Sequence, residues 1–179
     1  LKLDYRKIYL HAASSAGYYP GGAMLDMKLL FAPDGKILGA QIVGRKGVDK
    51  RIDVIATAMR DGVAAPALAE LELAYAPPFN TAKDPVNLAG MIAGNVLDGT
   101  SRILHADAVP AGMFLLDVRE VAEFENGTIP GAVNIPLGEL RTRLGELDQS
   151  RPLAVFCRVG QRGYVAERIL RQHGFDVYN

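Results

Sequence analysis

The chain has almost nothing with which to cross-link itself: Cys157 is the one cysteine among 179 residues. A single thiol excludes an internal disulfide and fits a reducing compartment, so a cytoplasmic location is expected. An excess of charge of either sign is also lacking. Twenty Lys and Arg balance twenty Asp and Glu, which leaves no electrostatic footprint for nucleic acid or an anionic membrane. No apolar run approaches the ~20 residues that span a bilayer. The start, Leu1 to Arg6, lacks the charged segment and apolar core of a secretory signal. His11 has no partner at metal-ligand spacing, and no Gly-x-Gly-x-x-Gly follows a strand pattern in the first hundred residues. Hence no metal, nucleic-acid partner or membrane partner is expected. Internal repeats and low-complexity tracts are absent too.

What is present reads as a globular chain, 49% hydrophobic and 22% charged, long enough for one large domain or two small ones. It starts at Leu and ends, at Phe175 to Asn179, in what reads as the beginning of a strand. Both ends suggest a piece of a longer protein.

The two halves follow different patterns. In residues 1–100, Leu25, Met27, Leu29 and Phe31 alternate with Asp26, Lys28 and Leu30. Pro33-Asp34-Gly35 then signals a turn, and Ile37 to Val43 a second strand of an antiparallel hairpin. From Val48 the period becomes helical, with Val48, Ile52, Ile55 and Met59 on one face and an end near Gly62. Pro66 to Leu73 reads as a shorter helix with proline at its start, and Pro85 to Leu97 as a third. Strands followed by helices predict an α+β domain. Residues 107–179 alternate instead: strands at Met113–Val118, Ala132–Ile135 and Leu153–Cys157, and helices at Glu120–Glu125, Glu139–Leu147 and Gly160–His173. Ala166, Ile169, Leu170 and His173 share a face of the last helix. This βαβα rhythm predicts an α/β domain with a parallel sheet. The boundary is expected within Asp98–Val109.

Cys157 ends the apolar run Leu153-Ala154-Val155-Phe156, and Arg158-Val159-Gly160-Gln161-Arg162-Gly163 leads into the helix. A thiol at a strand's carboxyl end, beneath a helix N-terminus, lies where a thiolate is stabilised and an anion can be cradled. Backbone N–H groups of the loop are expected to converge on the sulfur, with Arg162 adding positive potential. Gly160 and Gly163 permit close backbone approach. A buried structural thiol would need neither the arginines nor the glycines.

These residues resemble the rhodanese family. Leu115-Leu116-Asp117-Val118-Arg119-Glu120, then Glu123-Phe124, then Ile129 to Pro136 are similar to its upstream signature, and Cys157 to Arg162 to its active-site loop. The resemblance covers nearly all of residues 107–179, leaving the domain C-terminally incomplete. It implies that Cys157 carries sulfane sulfur as a persulfide and passes it to an acceptor thiol or anion. Amides from Arg158 through Val159, Gly160 and Gln161 to Gly163 would hold the persulfide, and Arg162 would assist with an anionic substrate. Related phosphatase-type loops place the arginine one residue later, around the larger phosphate, so sulfur transfer is preferred to phosphate hydrolysis. Thr128 stands where the family often has a histidine with a structural part. Asp117 and Arg119 read as an ion pair fixing the strand-to-helix turn.

The first half holds two stiff tyrosine loops, Gly17-Tyr18-Tyr19-Pro20-Gly21 and Tyr75-Ala76-Pro77-Pro78-Phe79. Tyr18 to Gly44, the second loop and Lys83-Asp84-Pro85-Val86-Asn87 resemble the dimerisation domain of pyridine nucleotide-disulfide oxidoreductases, in the coenzyme A-disulfide reductase branch. The resemblance implies a homodimer formed through residues 1–100. It also implies Tyr75 near the redox cysteine and flavin of the partner subunit, where a phenol hydrogen-bonds a thiolate or donates a proton. Tyr18, Tyr19 and Lys83 are the other candidates for that cofactor-binding region. The parent would use FAD, NAD(P)H and coenzyme A, with coenzyme A persulfide or disulfide, thiosulfate or polysulfide as substrates. No cofactor is expected to bind this fragment tightly, and sulfurtransferase activity is the most it should show alone. The competing readings are a dimerising assembly module with an inactive rhodanese-like binding domain, and a phosphatase or arsenate reductase.

Overall fold

The computed structural model describes residues 3–179. The chain divides into two compact units, Leu1–Asp98 and Gly99–Asn179, each with its own sheet.

In the first unit, β1 (Arg6–Ala13), β2 (Met24–Phe31) and β3 (Ile37–Gly44) form an antiparallel sheet in chain order. The hairpin read from the sequence is β2–β3. Its turn uses Gly35 at φ 88°, and the Asp34 carboxylate accepts the Lys36 N–H at 3.0 Å. Strand β1 is additional to the sequence reading. Its alternation buries Ile8, Leu10 and Ala12 and turns Tyr9 and His11 outward, but small residues at its end weaken the apolar contrast.

Helix α1 (Val48–Arg60) forms as expected but presents a different face. Arg51, Ile55 and Ala58 are buried, while Met59, expected inside, is 43% exposed. A buried arginine is invisible to an apolar-periodicity argument. The expected helix at 66–73 is a 3-10 helix over Ala65–Glu70. The Asn87 side-chain amide donates to the carbonyls of Leu68 (3.0 Å) and Leu71 (2.9 Å), which serves the segment's end from outside. Helix α2 (Pro85–Leu97) starts with Asp84 accepting the Val86 N–H at 2.8 Å. It packs so closely on the 3-10 segment that a Cβ at Gly90 would overlap the backbone of Leu68 and Ala69.

The second unit is a parallel sheet in the order β5-β4-β6-β7. Its elements are β4 (Phe114–Asp117), α3 (Val121–Glu125), β5 (Val133–Asn134), β6 (Leu153–Phe156), α4 (Gln161–Gln172) and β7 (Val177–Tyr178). Leu116, Val155, Ile169 and Leu170 meet in its core. The helix expected at 139–147 is replaced by turns and one 3-10 turn at Leu144–Glu146. Gly145 costs about 1 kcal/mol in a helix interior, and Leu140 and Leu147 reach the core without a continuous helix. His173, expected on the buried face of α4, is exposed at its C-cap. Glu167 is buried instead, accepting from Ser101 Oγ (2.5 Å) and the Arg102 N–H (2.7 Å). Burial pushes its carboxyl above the ordinary value, against the two hydrogen bonds.

Gly90 and Gly94 lie on the same helix and give opposite expectations. Gly90→Ala should lose about 1–3 kcal/mol through overpacking. Gly94→Ala, whose Cβ meets only Pro66 at ordinary contact distance, should gain about 0.5–1 kcal/mol in urea unfolding.

Candidate functional site

Strand β6 delivers Cys157 half-buried at its carboxyl end. The chain then turns through exposed Arg158, Val159 and Gly160, and Gly160 adopts φ 90° before α4 begins at Gln161. That left-handed turn aims the first turn of α4 back at the strand end. The Gly163 N–H donates to Cys157 Sγ at 3.3 Å. A Cβ at Gly163 would collide with the Asn179 side chain, so glycine there leaves room for Asn179 against the start of α4. Gln161 is exposed at the mouth of the loop.

Arg162 forms a two-pronged pair with Glu123, Nη1 donating to Oε2 at 2.6 Å and Nη2 to Oε1 at 2.8 Å. Glu123 Oε2 also accepts the Glu120 N–H at 3.1 Å. The Arg162 guanidinium holds the Glu123 carboxyl down to about 2, with the Glu120 amide adding to the effect. In return, Glu123 raises the affinity of Arg162 for its proton, and the Cys157 sulfur beside it adds a smaller part. Both terminal nitrogens of Arg162 are thus engaged in clamping α4 to α3.

One turn away, the Arg119 fork grips Asp117, with Nη2 to Oδ2 at 2.6 Å, and Thr128 Oγ1 donates to the same Oδ2 at 2.8 Å. Burial alone would push the Asp117 carboxyl up, but bonds from the Arg119 side chain and backbone and from Thr128 outweigh it and hold it low. Thr128 therefore makes a structural hydrogen bond at the position where the resemblance expects histidine. A cavity of about 280 Å³ lies against Cys157, with walls that include Leu104, Leu115, Ile129, Phe156 and Asn179.

In the first unit the two tyrosine loops meet. Tyr18 Oη and Tyr75 Oη are 3.1 Å apart, and both side chains are exposed. The hydrogen bond to Tyr18 is the main cause that raises the Tyr75 phenol, followed by burial and the repulsion of a second phenolate. Tyr19, 42% exposed, lines a separate cavity of about 400 Å³ with Ser15, Gly17 and the Pro20–Ala23 backbone. Lys83 is exposed on the turn before α2, and its carbonyl accepts from Thr81 Oγ1 at 2.5 Å. The sequence reading missed Glu123 as a site residue. An acidic residue three positions into a short helix after Asp117-x-Arg119 was the available signal, but its partner lies 39 residues away. Among the described residues no cluster of His, Cys, Asp and Glu could hold a metal ion, and no helix is long and apolar enough to cross a membrane.

Residues 1–85 match the family described as pyridine nucleotide-disulphide oxidoreductase, dimerisation domain, and residues 101–179 match the rhodanese-like domain. The chain joins one of each. A solved structure of reduced CoADR-RHD from Bacillus anthracis is 46% identical and superposes over 98% of this chain and 32% of that one, with TM-score 0.94. The NAD-dependent persulfide reductase of A. fulgidus is 37% identical over the same shares of the two chains, with TM-score 0.89. The coenzyme A disulfide reductase of Staphylococcus epidermidis is 42% identical over 88 residues, which is 49% of this chain and 20% of that protein. This chain therefore spans between a fifth and a third of these relatives. The dimerisation domain carries the phenol pair, and the rhodanese-like domain carries Cys157.

The depressed Glu123 carboxyl gives the clamp a pH signature. Its folded value, about 2, lies below the ~4.3 of a free glutamate. Its contribution is complete above the free value and is lost as pH falls toward 2. The native chain should exceed Glu123→Gln in stability at pH 7, and the difference should shrink between about pH 4 and 2 in urea melts.

Proposed function

We propose that this chain is the C-terminal part of a flavin-dependent NAD(P)H reductase of coenzyme A disulfide, persulfide or polysulfide, and that its rhodanese-like domain passes sulfane sulfur through Cys157. The observation that carries the reading is the Cys157 thiol under the first turn of α4, with the Gly163 amide on the sulfur. The order of the two domain matches supports the parent class, as do the names of the relatives.

Sulfur transfer needs a thiolate and a place for a second sulfur. The Cys157 thiolate attacks the outer sulfur of the donor. A new S–S bond forms and the donor's S–S bond breaks, its electron pair leaving with sulfite from thiosulfate or with a thiolate from a persulfide. The product is a Cys157 persulfide at the oxidation level of a disulfide; the donor, whose S–S bond is cleaved, is reduced in the same step, so no further oxidant is needed. The exposed loop from Arg158 to Gly160 supplies amides for the terminal sulfur, and the positive start of α4 favours its charge. An acceptor thiolate then takes that sulfur and releases Cys157 as thiolate. Arg162, held by Glu123, fixes the loop and keeps a positive charge beside the sulfur.

The dimerisation domain contributes the other part. An exposed phenol pair fits a thiol-bearing ligand, because a phenol hydrogen-bonds a thiolate or gives it a proton. Flavin and nicotinamide supply reducing electrons in this parent. Tyr75, hydrogen-bonded by Tyr18, orients the sulfur of coenzyme A, and Lys83 with Tyr19 provides further contacts for the coenzyme. A homodimer through the first domain and a cytoplasmic location complete the proposal.

Thiosulfate treatment should add about 32 Da, one sulfur atom, to the native chain and nothing to Cys157→Ala, as read by intact mass. An unmodified native chain would leave residues 101–179 as a binding domain.

A further inference from the structure

The phenol pair depends on two loops far apart in the chain, and one side chain ties both down. Arg51 projects from α1 with no solvent exposure. Its Nη2 donates to the Ser14 carbonyl at 2.9 Å and to Asn80 Oδ1 at 3.0 Å. Its Nη1 donates to the Gly47 carbonyl at 2.8 Å, and Nε to Asp84 Oδ1 at 3.3 Å. Asp84, 1% exposed, is the carboxylate that caps α2. The guanidinium is therefore held from α1, from the start of α2 and from residues flanking both tyrosine loops.

Each loop contact leads directly to a phenol. Ser14 precedes the Gly17–Gly21 loop, and Ala16, two residues on, donates its N–H to the carbonyls of Pro77 (3.2 Å) and Asn80 (3.0 Å). Asn80 closes the second loop: its side-chain amide donates to the Ala74 carbonyl at 3.2 Å, one residue before Tyr75. Gly47 fits the same design. It adopts φ 69°, and a Cβ there would strike Arg51 Nη1.

We infer that Arg51 is a positioning residue that locks the two loops together and so sets the Tyr18–Tyr75 contact of the reductase site. A lysine could keep charge opposite Asp84, but its three donors radiate from one nitrogen and cannot span Ser14, Asn80 and Gly47 as the planar fork does. This inference rests on the reading that the phenol pair serves the reductase, and its test separates the two.

The test uses Arg51→Lys beside Tyr18→Phe and native protein, with ¹³C-tyrosine NMR titration of Tyr75 in the chain and reductase assays in the full-length parent. Amide spectra confirm the fold, and Asn80→Ala is the milder second variant should Arg51→Lys fail to fold. Loss of the Tyr18 bond should lower the raised Tyr75 titration toward that of an ordinary phenol in Tyr18→Phe. Arg51→Lys, or Asn80→Ala in its place, should reproduce that fall and reduce kcat about tenfold. A Tyr75 titration that stays native in a folded Arg51→Lys or Asn80→Ala protein, while Tyr18→Phe shifts it, overturns the positioning role. A Tyr75 titration that falls with native kcat upholds the positioning role and overturns the reading of the phenols as part of the reductase site.

Discussion

The geometry around the Cys157 sulfur depends on the start of α4 being held against the end of β6, and the Arg162–Glu123 fork does the holding. A bidentate guanidinium–carboxylate pair fixes direction as well as distance. Because Arg162 is the second residue of α4, fixing it fixes the Gly163 amide that meets the sulfur. The same pairing tempers the charge near Cys157. An unpaired arginine would offer its full field to a passing anion, whereas one paired with Glu123 stays charged, offers a reduced field and also acts as a strut.

The dimerisation domain repeats the device under stricter conditions. Arg51 and Asp84 are both buried, and removing one partner from such a pair costs about 3–5 kcal/mol. The pair is tolerated because the remaining donors of Arg51 find backbone and side-chain oxygens. In both domains an arginine fixes a helix near candidate site residues: Arg162 clamps α4 to α3 beside Cys157, and Arg51 holds α1 to the start of α2 and to residues flanking the tyrosine loops.

Much of this was legible. The β2–β3 hairpin, α1, α2 and the βα rhythm of the second half follow from periods of two and 3.6 and from turn residues. The Cys157 loop was legible because strand, thiol, glycines and helix occur together in a dozen consecutive residues. Two misses share one cause. Met59 and His173 were placed inside because they complete an apolar stripe, yet Arg51 and Glu167 take the interior positions. Apolar periodicity has no means of seeing a polar group whose burial depends on partners elsewhere.

The sequence by itself determined the chemistry available: one thiol at a strand end, tyrosines on proline-stiffened loops, and the type and order of both domains. Those are local properties of composition and spacing. Tertiary structure decided which charges pair and which hydroxyls touch. Glu123 and Arg162 are 39 residues apart, and Tyr18 and Tyr75 are 57 apart. Closing such separations takes the packing of whole sheets and helices, because no single pair offsets the chain entropy of its loop. Cys157 could therefore be singled out as the candidate thiol from its neighbours in sequence. The clamp that orients it, and the buried arginine beneath the phenols, exist only once the chain has folded.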